Sequence, residues 1–110
     1  MNDPPFFSII IPAFNGETFL EEGADSVRRQ TCEDWQCILV DDGSIDSTGQ
    51  MMARYARSCS QFVHLSRPNG GSSAARNTAL SMASGRWFYF LDCDDYLYPE
   101  ALQTLRAAAM

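Results

Sequence analysis

The sequence predicts an α/β fold in three layers, a parallel sheet covered by helices on both faces. Apolar runs of strand length alternate with stretches of helical periodicity in the order βαβαβαβα. Short connections join them, which implies parallel strands and right-handed crossovers. The runs are near-continuous in apolar residues, Ser8-Ile9-Ile10-Ile11 being the clearest, as expected of strands buried on both faces. Two runs end in aspartates, Asp41-Asp42 and Asp92-Cys93-Asp94-Asp95. In a parallel sheet both clusters emerge at the carboxyl edge, where open α/β folds bind ligands.

The first strand is expected from Phe7 to Pro12, followed by a turn at Asn15-Gly16. A helix runs from about Glu17 to Gln30, with Leu20, Ala24 and Val27 at helical spacing. Acidic residues crowd its first half and Arg28 and Arg29 close it, matching the helix dipole. The second strand spans about Gln36 to Asp41 and breaks at Gly43-Ser44. Asp46 or Ser47 can cap the next helix, Thr48 to Ser58, whose Met51, Met52, Tyr55 and Ala56 form an apolar stripe. The third strand is the short run Phe62 to Ser66. After the Pro68-Asn69-Gly70-Gly71 loop, a helix opens at Ser72 or Ser73, runs to about Ala83 and ends at Gly85. Arg86 to Leu91 forms the fourth strand, and Pro99 starts a last helix with Leu102 and Leu105 facing inward.

A chain of 110 residues, 45% apolar and 20% charged, suits one globular domain, taken as residues 1–110. Its net charge of -6, from 8 basic and 14 acidic residues, argues against a nucleic-acid partner, which would call for a basic face. No apolar stretch approaches the roughly 18 residues of a spanning helix, and no signal-peptide pattern opens the chain. A cytoplasmic location is expected, at the inner face of the membrane only if a downstream segment provides an anchor. The Ala107-Ala108-Ala109-Met110 end carries no stop signal and leaves the fourth strand as an open edge, so the domain reads as incomplete.

All the basic residues are arginines. The absence of lysine removes a Walker-type phosphate loop, which needs one on the phosphates, and weighs against a response-regulator receiver. Cys32, Cys37, Cys59 and Cys93 form no CxxC pair and His64 is the lone histidine, so zinc-site spacing is missing. Cys37 and Cys93 are expected to be reduced thiols packed in or beside strands.

The aspartate clusters carry the chemistry. Two carboxylates about 4 Å apart repel by roughly 4 kcal/mol at an effective dielectric of 20. A divalent cation carrying an anionic ligand relieves that repulsion, which points to metal-assisted phosphate chemistry. By itself, the Asp-Asp-Gly-Ser run is only a strand-to-helix turn.

Four blocks in order resemble the inverting glycosyltransferases of family 2: Ser8-Ile9-Ile10-Ile11-Pro12-Ala13-Phe14-Asn15; Leu39-Val40-Asp41-Asp42-Gly43-Ser44 with Asp46 and Thr48; Asn69-Gly70-Gly71-Ser72-Ser73-Ala74-Ala75-Arg76-Asn77; and Phe90-Leu91-Asp92-Cys93-Asp94-Asp95. The resemblance covers nearly the whole chain. It implies the GT-A fold, a Rossmann-like three-layer α/β/α arrangement with parallel strands in order 3-2-1-4, here truncated after the DxD motif Asp92-Cys93-Asp94.

The resemblance further implies a nucleotide site built from Pro12, Phe14, Asn15, Asp42, Arg76 and Asp92. Phe14 would stack on the base, where the family often has tyrosine. Asp42 would accept the imino N–H of uracil, and Asp41 would cap the Gly43-Ser44 turn. Arg76, at the start of its helix, would help to hold the nucleotide. Asp94 would ligate Mn²⁺ or Mg²⁺ on the diphosphate, Asp92 would contact the ribose or support the metal, and Asp95 would cap the following turn. The implied partners are a nucleotide-sugar donor, expected to be a UDP-sugar, and a glycan or lipid-linked acceptor.

The general base of an inverting transfer matches no residue here, since every cluster lies on the nucleotide side. The chain alone is therefore expected to bind nucleotide without turnover. Two other classes stand beside this one: a non-catalytic nucleotide-binding module, and a metal-dependent nucleotidyltransferase or phosphatase. A haloacid-type phosphatase would need an aspartate after the first strand, where Pro12-Ala13-Phe14 stands. A GT-A nucleotidyltransferase would bring a glycine- and lysine-rich signature near that strand, which is also missing.

Overall fold

The computed structural model describes residues 4–109. Its central strand, β1 (Phe7–Ala13), is buried along its whole length. Strands β2 (Trp35–Asp41) and β4 (Trp87–Phe90) flank it, and β3 (Phe62–Ser66) lies outside β2. All pairings are parallel and the order is β3-β2-β1-β4, as the sequence predicts. The register sets Ala13 beside Asp41 and Asp41 beside Ser66, so three strands finish level at the carboxyl edge.

Side chains alternate across this sheet and fill two cores. Phe7, Ile9, Ile11, Cys37 and Leu39 face one side, packed with Leu20, Ala24 and Val27 of α1 (Leu20–Arg28), Met52 of α2 (Thr48–Ser58) and Leu102 of α4 (Ala101–Ala109). Ile10, Ile38 and Val40 face the other, against Ala75 and Ala79 of α3 (Ser72–Leu80). The two cores make the sheet the middle of three layers. Ile9, Ile10 and Ile11 are each fully buried, worth about 1.5–3 kcal/mol apiece. That is why this stretch reads as unbroken apolar rather than alternating.

The strands and α2 follow the expected spans to within one residue, with β4 stopping at Phe90, whereas the other helices are shorter. Helix α1 begins at Leu20, because Glu17 is engaged elsewhere: its N–H donates to Asp46 Oδ2 (3.3 Å) and its carboxylate accepts from Ser47 N–H (3.0 Å). Helix α4 begins at Ala101, two residues past Pro99, and its Leu105 is 42% exposed rather than inward. Helix α3 ends at Leu80 instead of running to Ala83, so Gly85 does not terminate it.

Gly85 serves a different purpose. Its N–H donates to Ser8 Oγ (2.8 Å), and a Cβ there would stand 2.5 Å from Ser8 N and 2.7 Å from the Phe7 carbonyl carbon. Both atoms belong to the backbone of the central strand, which cannot yield. Gly85→Ala is expected to cost about 1–3 kcal/mol through overpacking, seen as a lower urea midpoint at constant m-value. An unchanged midpoint would show that the α3–β4 connection does not pack against β1.

Among the described residues the far side of β4 has no partner strand, and Trp87, Phe88 and Phe90 are each about half exposed. An apolar edge of this kind is a pairing surface.

Candidate functional site

The carboxyl edge gathers three groups of residues, each placed by a different connection. The first is the β1–α1 loop. Pro12 is buried at the end of β1, opposite Val40, while Phe14 projects with 53% of its surface exposed. Asn15 takes a left-handed conformation (φ 52°), which asparagine tolerates better than most residues. This loop is zipped to the β2–α2 loop. Asn15 N–H donates to Ser44 Oγ (2.8 Å), Ile45 N–H to Asn15 Oδ1 (2.9 Å), and Gly16 N–H to Thr48 Oγ1 (2.8 Å). Ser47 Oγ also donates to Glu17. The Asn15 side-chain carbonyl is thus committed to holding the loop that presents Phe14.

Asp41 caps the Gly43-Ser44 turn as expected, accepting from Ser44 N–H at 2.9 Å. Of the two candidate caps for α2, Asp46 does the bonding, accepting from Thr48 N–H at 2.9 Å, whereas Ser47 forms no cap bond.

Asp42 sits in the second group and is only 3% exposed. Its Oδ1 accepts from Gly70 N–H (3.1 Å) and pairs with Arg67 Nε (3.1 Å). Its Oδ2 accepts from Gly71 N–H (2.9 Å) and Asn69 Nδ2 (3.3 Å). A carboxylate offers about four acceptor sites, so this one is filled by the β3–α3 loop. A further donor can be accepted only where one of these yields. The longest contact belongs to Asn69, which keeps a second bond to Asp42 O at 3.0 Å.

Pro12, Ala13, Phe14, Asp42, Ser72 and Ala75 line a shallow notch of about 70 Å³. That is far below the roughly 300 Å³ of a complete small-molecule pocket, so the notch is one wall of a site. Larger recesses lie elsewhere: about 290 Å³ between α1 and α2, lined by charged residues, and about 360 Å³ of apolar surface beside β4.

The third group is the acidic loop after β4. Asp92, Asp94 and Asp95 are exposed, and each can bring a carboxylate oxygen within 4.8 Å of the others. Three hard oxygen donors at this spacing suit Mg²⁺ or Mn²⁺, which take carboxylates and fill their remaining positions with water or phosphate. Asp95 N–H donates to Asp92 O (2.9 Å), which folds the loop back on itself; its carboxylate joins the cluster and forms no cap among the described bonds. Cys93 points inward, its Sγ 3.8 Å from Gly16 O. Burial, with the charges of Asp94 and Asp46, pushes its thiol up to about 11.

Helix α1 positions this acidic loop. A Cβ on Gly23 would stand 2.8 Å from Asp95 O, so the loop rests directly on the helix backbone. Further along, Ser26 Oγ accepts from Leu97 N–H (3.0 Å), and Gln30 bridges Tyr98 O (2.7 Å) and Leu102 N–H (3.0 Å). Sequence reasoning did not identify Ser26 or Gln30. Their one signal was two polar residues four apart on an otherwise apolar helix face.

Arg76 joins the second and third groups. It lies in the second turn of α3 rather than at its start, so it reaches the edge by its length and not as a helix cap. Its Nη2 stands 3.3 Å from Asp92 Oδ1, and its guanidinium carbon lies 5.7 Å from the centre of the Phe90 ring. Its Nε is buried and has no hydrogen-bond partner among the described residues.

A family model described as "Glycosyl transferase family 2" matches residues 8–109. The uncharacterized glycosyltransferase EpsJ of Bacillus subtilis is 41% identical over 105 residues, covering 96% of this chain and 30% of the relative. The hyaluronan synthase of Pasteurella multocida is 36% identical over 103 residues, covering 94% of this chain and 11% of the synthase. Among solved structures, S. aureus TarS 1-349 in complex with UDP-GlcNAc superposes with a TM-score of 0.82 at 33% identity, covering 94% of this chain and 30% of that one. The chain spans less than a third of each of these relatives.

Proposed function

The chain belongs to glycosyl transferase family 2 and has its GT-A fold, and on that premise we propose that the intact protein moves a sugar from a nucleotide-sugar donor to a glycan or lipid-linked acceptor, with inversion at the anomeric carbon. The donor we propose is a UDP-sugar. The observation that carries the reading is the meeting, at one sheet edge, of an exposed ring beside a carboxylate with an arginine-linked carboxylate cluster. A nucleoside diphosphate needs that pairing: an aromatic face and an acceptor for the base, and a positive countercharge for the phosphates. The solved complexes of TarS with UDP and with UDP-GlcNAc support the choice of donor.

In this reading Phe14 stacks on the base from its exposed side, and Asp42 accepts the imino N–H as Asn69 yields. Pro12 and Asn15 hold the Phe14 loop in place. Arg76 offers its guanidinium to a phosphate oxygen, and Asp92 binds the ribose or shares the metal. Asp94, with Asp92, would hold Mn²⁺ or Mg²⁺, and such a cation, when bound, neutralises the leaving nucleoside diphosphate as a Lewis acid. The acceptor-activating base is assigned to none of these residues, because inversion requires it on the opposite face of the sugar. Among the described residues no helix is long and apolar enough to cross a membrane.

Two measurements test the reading. Titration calorimetry of this chain with UDP should show binding in the presence of Mn²⁺ and much weaker binding without it; equal affinity would remove the metal from the site. Incubating the intact protein with UDP-sugars and Mn²⁺ should release UDP. Release of sugar 1-phosphate instead would place the cleavage between the two phosphates and make it a nucleotidyltransferase.

A further inference from the structure

Arg67 stands just outside every motif that carries the family resemblance, yet its side chain is as fully engaged at the carboxyl edge as that of Asp42. Its own N–H donates to Asp41 O (3.0 Å), which continues the β2–β3 ladder past the end of β3. From there the side chain turns under the β3–α3 loop. Nε donates to Pro68 O (3.1 Å) and pairs with Asp42 Oδ1 (3.1 Å). Nη1 donates to Ala74 O (3.1 Å) and to Thr78 Oγ1 (2.7 Å) on the first and second turns of α3. One planar fork therefore ties the loop start, the helix that follows and the Asp42 carboxylate into a single rigid unit. Three-quarters of the side chain is shielded from solvent, so the ion pair is weakly screened.

We propose that Arg67 is a positioning residue that sets base specificity, by clamping the 68–71 loop and fixing the direction in which Asp42 presents its carboxylate to the nucleobase. The inference rests on the reading that Asp42 accepts from the base. It goes further by stating what orients that acceptor. Among the four donors on Asp42, two are backbone amides of Gly70 and Gly71, whose places depend on the loop, and one is the side-chain amide of Asn69 on the same loop. Arg67 alone is anchored at both ends, its guanidinium on α3 and its backbone N–H on Asp41 O of β2. A flexible ammonium could supply the same charge but not the fork that reaches Asp42 and α3 together.

The test compares UDP with N3-methyl-UDP, which lacks the imino proton, by calorimetry in Mn²⁺ on the intact protein. Three forms are compared: wild type, Arg67→Met and Arg67→Lys. Wild type should prefer UDP by about tenfold or more, the usual effect of losing a hydrogen bond to a charged group. Arg67→Met should bind both ligands with nearly equal affinity while keeping its dependence on Mn²⁺, and Arg67→Lys should fall between. A purely structural role would lower the melting temperature and both affinities together and leave the ratio unchanged; that result overturns the inference. If wild type itself fails to discriminate, the assignment of Asp42 to the base falls, and this inference with it. Should Arg67→Met not fold, Thr78→Val removes the 2.7 Å anchor and leaves the charge, and it should still lower the ratio.

Discussion

Asp42→Ala is expected to destabilise the protein by about 3 kcal/mol, the usual cost of removing one member of a buried charged pair. The substitution strips this partner from Arg67 and from the Gly70 and Gly71 amides at once. For a domain of this size, such a loss lowers the melting temperature by roughly 10–20 °C. Thermal unfolding followed by circular dichroism checks it, and Asp42→Asn, which keeps the shape and one carbonyl oxygen, should lose about half as much. Nucleotide affinity should fall for two reasons, the lost acceptor and the loosened loop. The family resemblance alone suggests only the first. Mn²⁺ binding should survive, because the acidic loop hangs on α1 and not on the 68–71 segment. A melting temperature within a degree or two of wild type would show that Asp42 does not hold the loop.

Asp94→Ala should behave in the opposite way. Its side chain is exposed, so stability should change by no more than about 0.5 kcal/mol. The loss should instead appear in binding. The ratio of UDP affinities with and without Mn²⁺ should collapse towards one, a drop of about tenfold or more, or some 1.4 kcal/mol. Asp92→Ala should do the same and in addition release Arg76, which is paired with it at 3.3 Å. Asp95→Ala discriminates between two arrangements of the cluster. If Asp95 is a third ligand, the metal dependence weakens; if the pair suffices, it does not. Full metal dependence retained in Asp94→Ala would remove Asp94 from the metal site.

The two variants separate what was legible in the residues from what was not. Both aspartates are read from the same sequence pattern, acid after an apolar strand, and that pattern placed each at the carboxyl edge. It could not tell that Asp42 is sealed under a loop while Asp94 stands in solvent. Arg76 was found by its motif, but its position in the second turn of α3 and its pairing with Asp92 were not. Arg67, Ser26 and Gln30 were missed: Ser26 and Gln30 bond to backbone some 68 to 72 positions away, and no motif marks Arg67 as the partner of Asp42.

The strands, their alternation with helices and the edge that collects the acids follow from the sequence by itself. Burial on both faces demands unbroken apolar runs, and parallel pairing demands that their carboxyl ends point one way. The helix ends at Leu20, Leu80 and Ala101, the use of Gly85 for close approach, and the filling of Asp42 were decided only by the tertiary structure. The start of α1, the use of Gly85 and the filling of Asp42 depend on hydrogen bonds between residues some 27 to 77 positions apart. Such pairs leave no periodic trace in the chain, because what selects them is the satisfaction of buried polar groups after the layers have packed.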